Sequence, residues 1–217
     1  MPSQKVSSRP LAADERRERT QRYRREAVRG VVMTLVPYGA QHIDDICRLR
    51  NTERARYYLN QEAPLTPEKQ RNWTAGYEAR WGDLYWMIQA PDGRIVGATA
   101  LYDIDEAGAS AEIGRLVVDE KVAFEAPYAL EADLLVLRLA FADLGVARVT
   151  TIVRHENEKM NSMNARFGFL PCGTRDVRGT LYGEYDLDAE RFDPNLFDGI
   201  LTHWSKRNER RGTKSRA

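Results

Sequence analysis

Periodicity in the apolar positions divides the chain between its two ends into an ordered series of elements. "VVMTLVP" at 31–37 is β-branched and apolar enough for a strand. In "AQHIDDICRLRN", Ile43, Ile46, Cys47 and Leu49 fall near one helical face, and a second short helix follows through "TERARYYLNQ". "LTPEKQRNWTAGYEAR" has Thr66 as N-cap, Pro67 at the first helical position and Glu68 in the first turn, which together favour a helix start. "LYWMIQA", a turn at "PDG", and "RIVGATALYDI" predict a hairpin. "SAEIGRLVVD" predicts another strand, and an apolar-periodic helix runs over about 128–144 until Gly145 stops it. "ARVTTIV" reads as a strand, the segment around Asn157 as a short amphipathic helix, and "TLYGEYDLD" as a final strand. The order β, α, α, α, β, β, β, α, β, α, β, β predicts an α/β fold, a mixed sheet with helices on its faces, because crossover helices force parallel pairing late in the chain.

Composition narrows the function classes. A chain of 217 residues with 42% hydrophobic content can bury one sizeable core, and its length favours a single domain. No run approaches the roughly 18 consecutive apolar residues of a membrane span. No amino-terminal export signal is evident, so a cytoplasmic location is expected. Cys47 and Cys172 fit no metal or redox spacing and are expected as buried, reduced thiols. The net charge of +1 conceals an asymmetry: residues 1–30 and 204–217 together carry +10, leaving the rest near −9. An acidic body with basic ends makes a poor nucleic-acid platform. Both ends are polar, and "ADERRERTQRYRREAVRG" has helical charge offsets without an apolar stripe to dock it. The expected organisation is a basic, mobile extension over 1–30, one folded domain over 31–203 and a disordered tail over 204–217.

Three stretches carry a family resemblance. "AEIGRLVVD", "ALEADLLVLRLAFADLGVARVTTIV" and "NEKMNSMNARFGF", in this order, resemble the GNAT acetyltransferases from about Val31 to Asp188, with Asn157 at the family's spacing before Gly168 and Phe169. The resemblance implies a mixed sheet splayed between the fourth and fifth strands, with acetyl-CoA as co-substrate. The pantetheine arm would lie in the gap as a pseudo-strand, satisfying backbone N–H and C=O groups that are costly to bury unpaired. Asn157 would hydrogen-bond the arm or hold the adjacent loop, and as an Asn before Glu158 it also suits a helix N-cap. Leu116, Val117 and Val118 would supply backbone amides to the thioester oxygen, and Tyr128, Ala129 and Leu130 a helix N-terminus for the pyrophosphate. The chain departs from the family here: Phe124 stands in the basic position and Pro127, which has no N–H, replaces the first glycine. Lys121 could restore the charge.

The front half, from "LRN" at 49–51 through "EKQRNW" and "DLYWMI" to "GRIVGATALYDID", resembles acetyltransferases that act on nucleotide-linked amino sugars, such as those of the pseudaminic acid pathway. Ribosomal-protein N-terminal acetyltransferases share parts of this pattern and give the alternative function. A second alternative is a binding protein that keeps the fold without acetyl-CoA. Trp73, Tyr77 and Trp81 at i, i+4 and i+8, with Tyr85, could stack a ring, and Arg50, beside Asn51, or Arg54 could reach a diphosphate, although a helical aromatic stripe also suits core packing. Direct transfer needs a base and an acid. Glu112 is the first candidate base and His155 the second. Many family members carry an acid Tyr at the position of Asn164, which cannot donate a proton in this way. Tyr182 or Tyr185 on the last strand, or water, would have to take that part. A small-molecule acceptor, no bound metal and a homodimer complete the expectations.

Overall fold

The computed structural model describes residues 11–214, and from 208 onward the backbone only. Eight strands form one sheet: β1 (Val28–Arg29), β2 (Thr34–Pro37), β3 (Leu84–Gln89), β4 (Ile95–Tyr102), β5 (Ser110–Val118), β6 (Arg148–Arg154), β7 (Leu170–Val177) and β8 (Thr180–Asp188). Their spatial order is β1-β2-β3-β4-β5-β6-β8-β7, and β5 with β6 is the sole parallel pair. The helices are α1 (Ala13–Tyr23), α2 (Ile43–Arg50), α3 (Glu53–Tyr58), α4 (Pro67–Ala79), α5 (Tyr128–Arg138), α6 (Glu158–Phe167) and α7 (Asp198–Lys214). The mixed α/β architecture, with the gap between the strands at 110–118 and 148–154, is the expected one.

Helix starts follow the local chemistry. Thr66 caps α4 by accepting from the Lys69 N–H, with Pro67 in the first turn, and Thr52 caps α3 by accepting from Ala55. The two sheet faces bury separate cores. One packs β-strand residues such as Ala111, Ile113 and Val149 against Leu134, Val136 and Leu137 of α5 and Phe167 of α6. The other packs Tyr85, Met87 and Ala98 against Ile46 and Leu49 of α2 and Tyr77 of α4. The last turn of α5 widens into a π-helical turn over Leu139–Asp143, where Leu144 N–H donates to Leu139 C=O, five residues back. Gly145 follows at φ 62°, so the helix ends where the glycine predicts.

The ends depart from expectation. The segment around 13–23 is docked, and by polar groups: Arg16 is 1% and Thr20 0% exposed. Arg16 Nε donates to Leu144 C=O at 2.9 Å, its Nη1 to Glu106 C=O and its Nη2 to Leu11 C=O at 3.1 Å. Gly108, at φ 76°, leaves the guanidinium its space, since a Cβ there would lie 2.1 Å from Arg16 Nη2. Arg24 donates to the carbonyls of Tyr77, Glu78 and Asp83 at 2.9–3.2 Å. Two arginines of the amino-terminal segment thus close the carboxyl ends of α4 and α5, where helix carbonyls lack partners. At the other end α7 runs to Lys214, so the part of the expected tail over 204–214 is helical backbone. Residues 1–10 and 215–217 lie outside the described residues. Cys47 is buried and Cys172 exposed, both free, so the buried reading holds for Cys47 alone. Among the described residues no helix is long and apolar enough to cross a membrane.

Candidate active site

The sheet opens because β5 and β6 part. Pairing runs from Ser110–Arg148 to Glu112–Thr150 and stops, leaving Ile113 to Val118 without a β6 partner. A bulge in β5 contributes: Ala98 pairs with Val117 and Ala100 with Gly114, so β5 carries one residue more than β4 over this span. Arg115 takes up the excess at φ 55°, a left-handed conformation that costs a non-glycine residue about 1 kcal/mol or more. The cleft that results has a volume of about 550 Å³ and is bounded by Leu116, Val117 and Val118 of β5, Ala129 of α5, Arg54 and Tyr58 of α3, and Asn157 and Lys159 at the start of α6.

Asn157 caps α6, its Oδ1 accepting from Met160 N–H at 3.3 Å. Its amide nitrogen has no hydrogen-bond partner among the described residues and can meet a ligand in the cleft it lines. Of the other expected cofactor contacts, Leu116, Val117, Val118 and Ala129 line the cleft. Tyr128 is buried and Leu130 packs beside it in the α5 core. Lys121 is exposed, with its N–H on Asp119 Oδ1, and lies off the cleft wall. Phe124 projects into solvent at 76% exposure and also borders the cleft. Asn164 is 2% exposed and faces a separate small cavity at the foot of the gap.

On the opposite face lies a polar and aromatic cluster. Tyr102 of β4 donates its hydroxyl proton to Glu112 Oε1 of β5. Burial and the Glu112 charge push the Tyr102 hydroxyl far above its ordinary range, so it stays protonated and serves Glu112 as a fixed donor. Arg115 lies over the Tyr102 ring, 4.1 Å from its centroid, and pairs with Asp83 at 2.7 Å. Trp73 stacks on Tyr77 at 5.2 Å and meets the edge of Tyr85 at 5.6 Å. Tyr77 is 4% exposed and its hydroxyl accepts from Tyr85 N–H at 3.3 Å, so it braces β3 against α4. Tyr85 is 2% exposed, and burial pushes its pKa up to about 12, opposed mainly by the Arg50 guanidinium beside its hydroxyl. Arg50 Nε is buried as well. Asn51 ties down the 60–66 loop, accepting from Leu65 N–H at 2.7 Å and donating to Leu65 C=O at 2.8 Å.

Other candidates stand apart. Trp81 is off the helical stripe, because α4 ends at Ala79 and Arg80 is extended; it packs on the α5 core with Arg17 5.1 Å from its ring centroid. His155 sits in an exposed turn after β6. Tyr182 of β8 pairs with Arg154, four positions beyond the Thr150 that pairs with Glu112, or about 13 Å along the strands. Glu112 and Tyr182 therefore do not meet. Sequence reasoning passed over Tyr102, Arg115 and Asp83. Arg115 was the available signal, a charged residue inside the apolar run "EIGRLVV".

The acetyltransferase (GNAT) domain family matches residues 33–170 of the chain. No curated protein matches by sequence. Among solved structures, the chain is similar to a GCN5-related N-acetyltransferase from Brucella melitensis, with a TM-score of 0.68 and 24% identity over 83% of this chain and 86% of that one. It is similar to FdhC in its apo form, described as a nucleotide-linked sugar GNAT, with a TM-score of 0.68 and 22% identity over 81% and 97%. It is also similar to spermidine N-acetyltransferase from Vibrio cholerae in complex with CoA and spermine, with a TM-score of 0.65 and 15% identity over 75% and 98%.

Proposed function

Because the chain belongs to the GNAT acetyltransferases, whose domain accounts for well over half its length, we propose that it moves the acetyl group of acetyl-CoA to the amino group of a nucleotide-linked amino sugar. The family reaction uses acetyl-CoA, which when bound supplies an activated acetyl thioester. The residues present fit it. Between Ile113 and Val118 an unpaired strand edge faces the gap, matching an amide-bearing pantetheine arm, and the Asn157 amide nitrogen is free beside it. At the rim Pro127 offers no N–H; Lys159 lines the cleft, as does Arg54, which pairs there with Glu120 at 3.4 Å and would have to release it to meet a diphosphate.

The acceptor reading rests on one observation above all: Arg50 Nε and the Tyr85 hydroxyl are both buried and lie next to each other at the aromatic cluster, with Arg115 nearby. A guanidinium beside a hydroxyl suits an anionic, hydrogen-bonding ligand. The Arg50 charge disfavours a polyamine. The exposed part of the Trp73 ring could cover a sugar or base face, as a resemblance in the front half implies. Glu112, whose carboxylate accepts from the Tyr102 hydroxyl, would take the ammonium proton directly or through water, after which the neutral amine can attack.

Calorimetric titration of acetyl-CoA into the protein tests the first half of this reading, with Asn157→Ala expected to weaken binding roughly 5- to 20-fold through one lost hydrogen-bonding group. Absence of binding to the parent protein would remove the acyl-transfer reading. Turnover would then be compared for a uridine-diphosphate-linked amino sugar, spermidine and a short peptide with a free amino terminus. Turnover of the peptide or the polyamine in preference to the sugar would replace the acceptor assignment, and Arg50→Ala should raise KM for the sugar alone.

A further inference from the structure

At the foot of the strand gap, past Leu116 and Met160, which border both spaces, the cleft gives way to a cavity of about 20 Å³. Two buried polar side chains line it without hydrogen-bond partners. Asp133 of α5 is 4% exposed with Oδ1 unpaired, and Asn164 of α6 is 2% exposed with Nδ2 unpaired. An unpaired buried carboxyl and an unpaired buried amide are each costly, and they would not be expected to face one cavity by chance without a shared partner. The volume suits a single water, and the two groups supply the polar contacts that such a water needs. No charged group shares the site. Thr99 of β4 lies beside Asp133 and Thr151 of β6 lines the cavity, while Ile113, Leu137 and Phe169 close the rest with apolar surface. Glu112 and Arg115 lie on the other face of the sheet, engaged with Tyr102 and Asp83.

We infer that Asp133 and Asn164 hold one water at the foot of the gap, and that Asp133, through this water, supplies the proton taken up by the departing thiolate. The inference rests on acetyl transfer in the strand gap. The amine nitrogen forms the new bond to the acetyl carbon and the carbon–sulfur bond breaks with its electron pair on sulfur. The water gives that sulfur a proton and takes one from Asp133, which is reprotonated from solvent as the nitrogen's proton is released to it. Burial raises the Asp133 carboxyl to about 7, opposed by the Thr99 hydroxyl beside it. Asp133 is therefore protonated up to neutrality and able to donate.

The test uses hydroxylamine as acceptor, a small nucleophile already neutral at pH 7, so that the pH profile reports the acid and not the amine. Asp133→Asn and Asp133→Leu are compared with the parent. Leu replaces an unpartnered buried carboxyl by apolar surface and is expected to raise the melting temperature, which guards against a folding artefact. Both variants should bind acetyl-CoA within about threefold of the parent by calorimetry and release CoA about 100-fold more slowly. The parent's turnover should fall as pH rises through neutrality, and this limb should be absent from the residual activity of the variants. In the free protein labelled with carbon-13 aspartate, infrared spectra should show a protonated buried carboxyl below neutrality that is missing from Asp133→Asn. Variants that bind acetyl-CoA and keep both the rate and the alkaline limb would overturn the inference, as would a carboxyl ionised throughout. Failure of the parent to bind acetyl-CoA would instead sink the acyl-transfer reading beneath it.

Discussion

Replacing Glu131 by Ala is expected to lower unfolding stability by about 4 kcal/mol, the largest effect of any single substitution outside the apolar core, because three buried donors lose one shared acceptor. Glu131 lies in the first turn of α5 and is fully buried. Its Oε1 accepts from Val31 N–H at 2.5 Å, and its Oε2 from Val32 N–H at 2.8 Å and Met33 N–H at 3.1 Å. These bonds fix the chain as it enters β2, so the substitution leaves a cavity and three stranded N–H groups between a helix and the sheet. A domain of this size loses roughly 2–4 °C of melting temperature per kcal/mol, so a fall of about 8–16 °C is expected by calorimetric melting. A drop of only a degree or two would mean that water replaces the carboxylate and that β2 is not anchored through α5. Gly30 shares the dependence, since a Cβ there would sit 2.6 Å from Glu131 Cδ.

The second expected loss is at Arg16. Arg16→Met keeps the length of the side chain and removes donors to Leu144, Glu106 and Leu11, so the carbonyl at the end of α5 is left without its partner. Hydrogen bonds to a charged group contribute about 1.5–3 kcal/mol each, and roughly 3 in all is expected here because Leu11 and Glu106 can turn toward water. Alongside the stability loss, limited proteolysis should cut the chain between α1 and β1 in the variant before the parent is touched. If α1 stays protected, Thr20 and Arg24 dock it without Arg16. The Arg24 bonds to the end of α4 make this a fair contest.

Neither anchor could be read from the chain alone, and the reason is physical. Periodicity reports which side chains leave water for an apolar partner, and it reported well: the Thr66 cap, the hairpin around "PDG", the α5 stripe and the Gly145 stop all follow from neighbours a few residues apart. Arg16 and Glu131 bury charge against backbone groups about 100 residues away, which no local pattern encodes. A docking face made of Arg16 and Thr20 looks, as a sequence, like a solvated helix. The site was legible in proportion to how much of it is backbone. The gap and the β5 edge came with the family resemblance and the Asn157 cap with its residue type before Glu158, whereas the cluster of Tyr102, Glu112 and Arg115 depends on a one-residue bulge that the alternation of "AEIGRLVVD" does not reveal.

The π-helical turn at the end of α5 carries a record of a different kind. A π turn is an α-helix with one extra residue in its loop of hydrogen bonds, so removing any one residue between Leu139 and Asp143 would let Leu144 bond four positions back and restore a regular helix. The segment is therefore where this fold can change its length by a single codon at least disturbance to either end. Deletions there should be tolerated in a scan that is unforgiving through Tyr128–Arg138, and chains of common descent should differ in length at this point before they differ within the helix that precedes it.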